Sequence, residues 1–256
     1  MSKRPQLPGD PSELHLHIAY NDDLRDTPHA ETVERFDVAV RHGRDVHDDG
    51  RCPGAGDAGT DGQCVDGGCP ALAKDGVEVG QMAFFRVHLD RGMNAFWALE
   101  EEGEDLYEFA QVLLDKDTGN FTDEVDESLA YAGGLALLIM DRVTLARPWR
   151  GRGLAAILAA EAIHRLLPGC RAVACLPGIS DLGPGQQRTL DRAEWDRVTA
   201  RIRTGWERVG FRHYRHDVYL VSSADEVLEQ QRAVLRAELA ELGAAWRKAA
   251  TEDSPG

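Results

Sequence analysis

The stretch from Leu135 to Leu167 constrains this 256-residue chain most, because it reads as a buried strand, a glycine turn and a helix in direct succession. Leu138 to Leu145 is apolar or β-branched at most positions, as a strand inside a sheet would be. Pro148 ends that run, since proline donates nothing to a ladder and fixes its own φ. Arg150-Gly151-Arg152-Gly153 then lets the backbone turn sharply, so that successive N–H groups can converge. Leu154, Ile157, Leu158 and Ala162 give the next segment a helical stripe, which Pro168-Gly169 stops. A helix N-terminus carries unsatisfied N–H groups and the positive end of a dipole, and so is a natural seat for an anion. Arginines beside it suit a polyphosphate better than a lone carboxylate. The stretch points to a pyrophosphate.

Three phosphate-binding designs start this way. A P-loop needs Gly-Lys-Ser/Thr at the helix entry, and no lysine stands here. Gly151-Arg152-Gly153-Leu154-Ala155-Ala156 fits the dinucleotide pattern G-x-G-x-x-A, but the next strand ends Ala174-Cys175-Leu176-Pro177 without the acidic residue that such a site requires. The third design is an acyl-CoA loop of the pattern Arg/Gln-x-x-Gly-x-Gly/Ala, which Arg150-Gly151-Arg152-Gly153-Leu154-Ala155 matches. In this the chain resembles the GNAT superfamily of N-acyltransferases. The resemblance continues through a strand at Arg171 to Leu176, the signature Trp206-Glu207-Arg208-Val209-Gly210-Phe211, and a last strand from His213 to Val221. It covers about residues 135 to 221.

That resemblance implies an α+β fold (an α/β sandwich), with a mixed, mostly antiparallel central sheet flanked by helices. It implies acetyl-CoA as co-substrate and direct acetyl transfer to a primary amine of a small molecule or a protein. Backbone groups of Val143 and Leu145 would hold the pantetheine arm. The N–H groups of Gly151, Arg152, Gly153, Leu154 and Ala155 would hold the pyrophosphate, with charge added by the Arg150 and Arg152 side chains. Asp141 is the only carboxylate in the motif strand and the candidate general base; burial would raise its pKa. The family often has a tyrosine as general acid where this chain has Trp206. An indole N–H has no useful acidity, so that role is lost or moved. The alternative reading is therefore a non-catalytic acyl-CoA-binding module, a sensor or scaffold. Cys170 and Cys175 read as buried structural thiols rather than acyl carriers.

Lys+Arg 29 against Asp+Glu 44 gives a net charge of −15, which argues against a nucleic-acid partner and favours a cationic substrate or a basic protein partner, or serves solubility alone. Met1 to Asp10 lacks an apolar signal core and no apolar run approaches a membrane span, so no membrane association is expected. Five cysteines without framework spacing suit a reducing cytoplasm.

The rest divides into one domain, residues 1–223, and a C-terminal helix with a short tail, 224–256. Met1 to Pro11 reads as a loose tail. Leu14, Leu16 and Ile18 alternate with His15 and His17 in a half-buried strand, and Phe36, Val38 and Val40 mark a second. Residues 42–76 form a Gly/Asp-rich insertion without large apolar side chains. Within it His47, Cys52, Cys64 and Cys69 lack a Cys-x-x-Cys hook, and Asp57 to Gly68 lacks the closing glutamate of a calcium loop, so no metal is expected. Val77 to Leu89 is a strand, and Asn94 to Leu114 a single long helix placed, unlike the family's usual order, just before the motif strand. Asp191-x-x-Glu194 reads as a capping box before a helix whose face carries Trp195, Val198, Ile202, Trp206 and Val209. Leu228, Leu235, Leu239, Leu242 and Trp246 recur with heptad-like spacing, for packing on the domain or for a homodimer contact.

Overall fold

A computed structural model describes residues 7–21, 29–43, 76–129, 133–178 and 192–252. Seven strands form one sheet: β1 (Leu14–Asn21), β2 (Val33–His42), β3 (Val77–His88), β4 (Ala136–Leu145), β5 (Cys170–Cys175), β6 (Arg212–Arg215) and β7 (Val218–Ser222). Their order across the sheet is β1-β2-β3-β4-β5-β7-β6, and only the β4–β5 pair is parallel. The helix α4 (Leu154–Leu166) makes that parallel crossover, as the geometry of a parallel pair demands. The fold is thus α+β with a mixed, mostly antiparallel sheet.

Alternation along the strands divides the core between the two faces. Leu138 and Met140 of β4 pack with Phe84 of β3 and with α4, whereas Leu137 and Ile139 face the other way. The second face is covered by α1 (Ala95–Glu102), α2 (Glu104–Leu113) and the short α3 (Asp123–Ser128). The first face carries α4, the contacts of α5 (Arg192–Glu207) through Ile202 and Trp206, and those of α6 (Val227–Glu252) through Leu228 and Leu235. Among the described residues no helix is long and apolar enough to cross a membrane.

Three expectations are corrected. The single helix over Asn94 to Leu114 is two helices, broken where Gly103 takes φ 149° and ψ 168°. The single strand over His213 to Val221 is a hairpin, because His216 at φ 50° turns the chain and lets β7 slot between β5 and β6. Leu7 to Pro11 is not a loose tail: Leu7 and Pro11 are buried, Trp246 Nε1 donates to the Leu7 carbonyl at 2.9 Å, and Arg247 pairs with the buried Asp10. Of the two readings of the heptad-like stripe in α6, packing on its own domain agrees with the structure: Leu228, Leu235, Leu239, Leu242 and Trp246 all belong to the α4-side core. The candidate zinc and calcium residues of the insertion, and Asp191 of the capping box, lie outside the described residues.

Glu161 joins α4 to α6. Its carboxylate, 12% exposed, accepts hydrogen bonds from Arg232 and Arg236 of α6 and from Arg165 one turn on. Burial alone would push its pKa up, but the hydrogen bonds from Arg236, Arg165 and Arg232 prevail and hold it at about 2.

Candidate functional site

The motif strand and its neighbour part company half way along. The β4–β5 ladder runs from Ala136–Cys170 to Met140–Cys175 and stops, while β4 continues to Leu145 paired with β3. At the same level β4 carries a bulge. Its register on β3 jumps from Met140–Phe84 to Arg142–Ala83, leaving Asp141 as the extra residue. The bulge reverses the alternation, so Val143 and Leu145 join Met140 on the α4 side instead of crossing to the other face. A split sheet and a bulge in one place open a cleft of about 460 Å³.

The glycine turn closes one end of this cleft. Trp149 is buried in the corner after β4, and Arg150 folds back so that its Nε donates to the Leu145 carbonyl at 2.5 Å. Gly151 and Gly153 both stand at φ 79°, where any other residue would be strained by roughly 1–2 kcal/mol. Gly153 is the N-cap of α4 and offers no side chain to its first turn. The first helical bonds are those that the Ala156 and Ile157 N–H groups donate to the Gly153 carbonyl, so the N–H groups of Leu154 and Ala155 have no helical partner.

Two further arginines reach this turn, Arg201 from α5 and Arg208 from the turn just after it. Arg208 Nη1 lies 3.0 Å from where a Cβ on Gly153 would stand, and Arg201 Nη2 lies 3.7 Å from the equivalent point on Gly151. Both line the cleft, and Arg208 is steadied by an ion pair with Glu238 of α6. Sequence reasoning missed them. The available signal was that Arg201, Gly205 and Arg208 share one helical stripe, with the glycine leaving room between the guanidinium groups. Among the described residues the cleft wall thus holds Arg150, Arg201 and Arg208 and a single acid, Asp141, inside a chain of net charge −15. Its middle is apolar, walled by Met140, Val143, Leu145, Ile202 and Trp206.

The structure therefore brings Asp141, Val143, Leu145, Arg150, Gly151, Gly153, Leu154 and Ala155 to one cleft; Arg152 does not line it. Asp141 is half-buried at the end away from the arginines of α5. Burial pushes its pKa up, Asp105 on α2 adds to the rise, and Arg142 and Arg35 oppose it. Trp206 is buried with its ring in the cleft wall. Tyr214 and Tyr219, which follow the signature, do not line the cleft: Tyr219 is in the α4-side core, its pKa raised by burial, and Tyr214 packs on the opposite cluster. Cys170 and Cys175 are buried thiols whose pKa values burial raises, well above the ordinary range for Cys175, so neither supplies a thiolate.

No family model matches the sequence, and no curated protein matches it. Among solved structures the chain is similar to a tyrosine-to-phenylalanine mutant of KacT, at 8% identity and a TM-score of 0.34 over 78% of this chain and 75% of that one. It is also similar to AtaT complexed with acetyl-methionyl-tRNAfMet, at 9% identity and a TM-score of 0.32 over 82% of this chain and 95% of that one. Likenesses this loose carry no argument about chemistry, which rests on the cleft itself.

Proposed function

We propose that this chain is a GNAT-type N-acetyltransferase, which moves an acetyl group from acetyl-CoA directly to a primary amine. The observation that carries the reading is the polarity of one cleft. It runs from an arginine-flanked glycine turn at a helix N-terminus, through an apolar waist, to a carboxylate with a raised pKa in a β-bulge.

Each part suits one part of acetyl-CoA. The first N–H groups of α4 receive the pyrophosphate, with Arg201 and Arg208 adding charge-assisted donors from the opposite wall. Glycine at 151 and 153 leaves the backbone bare for that approach. The apolar waist takes the methylenes of the pantetheine arm, and the β4 edge beyond Met140, which β5 does not pair, holds its amides through Val143 and Leu145. The thioester then reaches the level of Asp141. A neutral amine attacks the carbonyl carbon; the C–N bond forms, the C–S bond breaks, and the sulfur leaves with the electron pair. Asp141 accepts the proton that the amine loses. A carboxylate whose pKa is raised towards neutrality performs that transfer better than an ordinary one.

One observation favours a second reading. Among the described residues no tyrosine lines the cleft, and Trp206 occupies the wall. A cleft that binds acetyl-CoA without turning it over would make the chain a sensor or scaffold. The test has two stages. Acetyl-CoA and CoA, but not NADH, should raise the thermal midpoint, by an amount equivalent to roughly 2.7 kcal/mol at 100 times the dissociation constant. Free thiol should then appear only when an amine is added. Binding without amine-dependent thiol release would establish the sensor, and absence of binding would end both readings.

A further inference from the structure

A second hollow, of about 550 Å³, opens on the opposite face of the sheet, beside the area that α1 and α2 cover. Its floor follows from strand register. Ala19 of β1, Asp37 of β2, Ala83 of β3 and Arg142 of β4 lie in one row across four strands, and His17, Ala39, Gln81 and Thr144 form the next. Ala19, Ala39 and Ala83 are half-buried, and their short side chains leave the volume that larger residues would fill.

Asp141 is the residue that lines both this hollow and the cleft on the other face. The bulge explains this: Asp141 and Arg142 together oppose the single residue Ala83, so consecutive side chains reach the same opening. An acceptor in the hollow would present its amine to a thioester arriving from the cleft, with Asp141 between them.

The charges of the hollow decide what the acceptor is. Asp37 is paired with Arg35 through two hydrogen bonds, at 3.1 and 3.2 Å, whereas Glu78 accepts at 2.5 Å from the neutral amide of Gln81 and keeps its charge. Arg142, exposed and next to Asp141 in the chain, makes no ion pair with any described residue. An amine placed at Asp141 stands beside that guanidinium, which only an anionic group close to the amine would engage. A molecule with a carboxylate one or two bonds from its amine would meet Asp141 and Arg142 in matching order. The net charge of −15 suggested a cationic acceptor, but local charge at the point of reaction outweighs distant surface charge that salt screens.

Resting on the acetyltransferase reading, we infer that the acceptor is a free α-amino acid, lying in the β1–β4 hollow with its amine at Asp141 and its carboxylate on Arg142. The experiment compares thiol release from acetyl-CoA with a panel of L-amino acids and with the same amino acids as α-carboxamides. The carboxamides keep the shape, lose the charge, and have a less protonated amine, which biases the comparison against the inference. The amino acids should be preferred by roughly 10- to 100-fold in kcat/KM, as expected for one charge-assisted hydrogen-bonded pair. Arg142→Gln should erase that preference through KM and leave the CoA dissociation constant unchanged. Ala83→Leu, at a half-buried position facing the hollow, should remove amino-acid acetylation with CoA affinity and thermal midpoint retained. Carboxamides equal to or better than amino acids, a preference that survives Arg142→Gln, or CoA binding with transfer only to proteins or polyamines would each overturn the inference while leaving the acetyltransferase intact. Failure to bind CoA at all is a different result and removes both.

Discussion

Replacing Glu161 by glutamine should loosen the joint between α4 and the C-terminal helix α6, by an amount that depends on pH. The substitution keeps the side-chain shape and one acceptor oxygen but removes the charge that Arg165, Arg232 and Arg236 share. A fall from the ordinary 4.5 to about 2 is equivalent to at most about 3 kcal/mol of folding stability. Arg165 and Arg236 stand about half in water, at 48% and 53% exposure, so screening reduces the expected effect to about 1–2 kcal/mol. In a domain of this size that lowers the thermal midpoint by about 2–8 °C. The sign follows from the direction of the shift. A depressed carboxyl pKa stabilises the fold above the unfolded value of about 4.5, and that contribution is lost as pH falls towards about 2. Urea unfolding of both proteins at pH 7, 5, 4 and 3 should show a gap that is full at pH 7 and closes steadily below pH 4.5. A Glu161→Gln protein as stable as the parent at pH 7, or a gap unchanged at pH 3, would refute the reasoning. CoA affinity at pH 7 should move little, because Glu161 lies two turns beyond the glycine loop.

Three other outcomes are expected. The acetylation rate should rise with pH through the raised pKa of Asp141, because only the ionised carboxylate accepts a proton, and Asp141→Asn should lower kcat by roughly 10²- to 10⁴-fold while isothermal titration finds CoA affinity unchanged. Arg201→Gln and Arg208→Gln should each weaken CoA binding by roughly tenfold or more, and the remaining affinity should depend less steeply on salt. Trp246→Phe removes the hydrogen bond to the Leu7 carbonyl and should cost about 1 kcal/mol in chemical denaturation, with no effect on CoA binding.

What the chain states locally, the structure keeps. Gly151 and Gly153 signal the turn because a left-handed φ is cheap only for glycine, and Pro148 and Pro168-Gly169 bracket the elements on either side. The stripe from Leu154 to Ala162 is a helix wherever it sits, and the alternation in β1 and β2 already says which side chains face the core. Such signals act over three or four residues and need no partner. The misses share the opposite property. Gly103 could have been a tolerated glycine inside a helix, and only the packing of α1 and α2 on the sheet turns it into a corner. His216 carries no hairpin signature of its own; β7 must first find its place beside β5.

The candidate site divides in the same way. Sequence alone determined the glycine-turn half, because a glycine turn leading into a helix N-terminus is built by consecutive residues. Tertiary structure decided the rest. Arg201 and Arg208 are about fifty residues from the turn they face, and α5 brings them there through Ile202 and Trp206 packing on the core. Asp141 reaches two cavities only because its strand slips one residue against β3, and a bulge is a property of two strands, never of one. The cleft itself exists because β5 ends its ladder at Cys175 while β4 runs on to Leu145. Bond-level preferences write the elements; the register between them, set by burial across the whole sheet, makes the cavity where chemistry can occur.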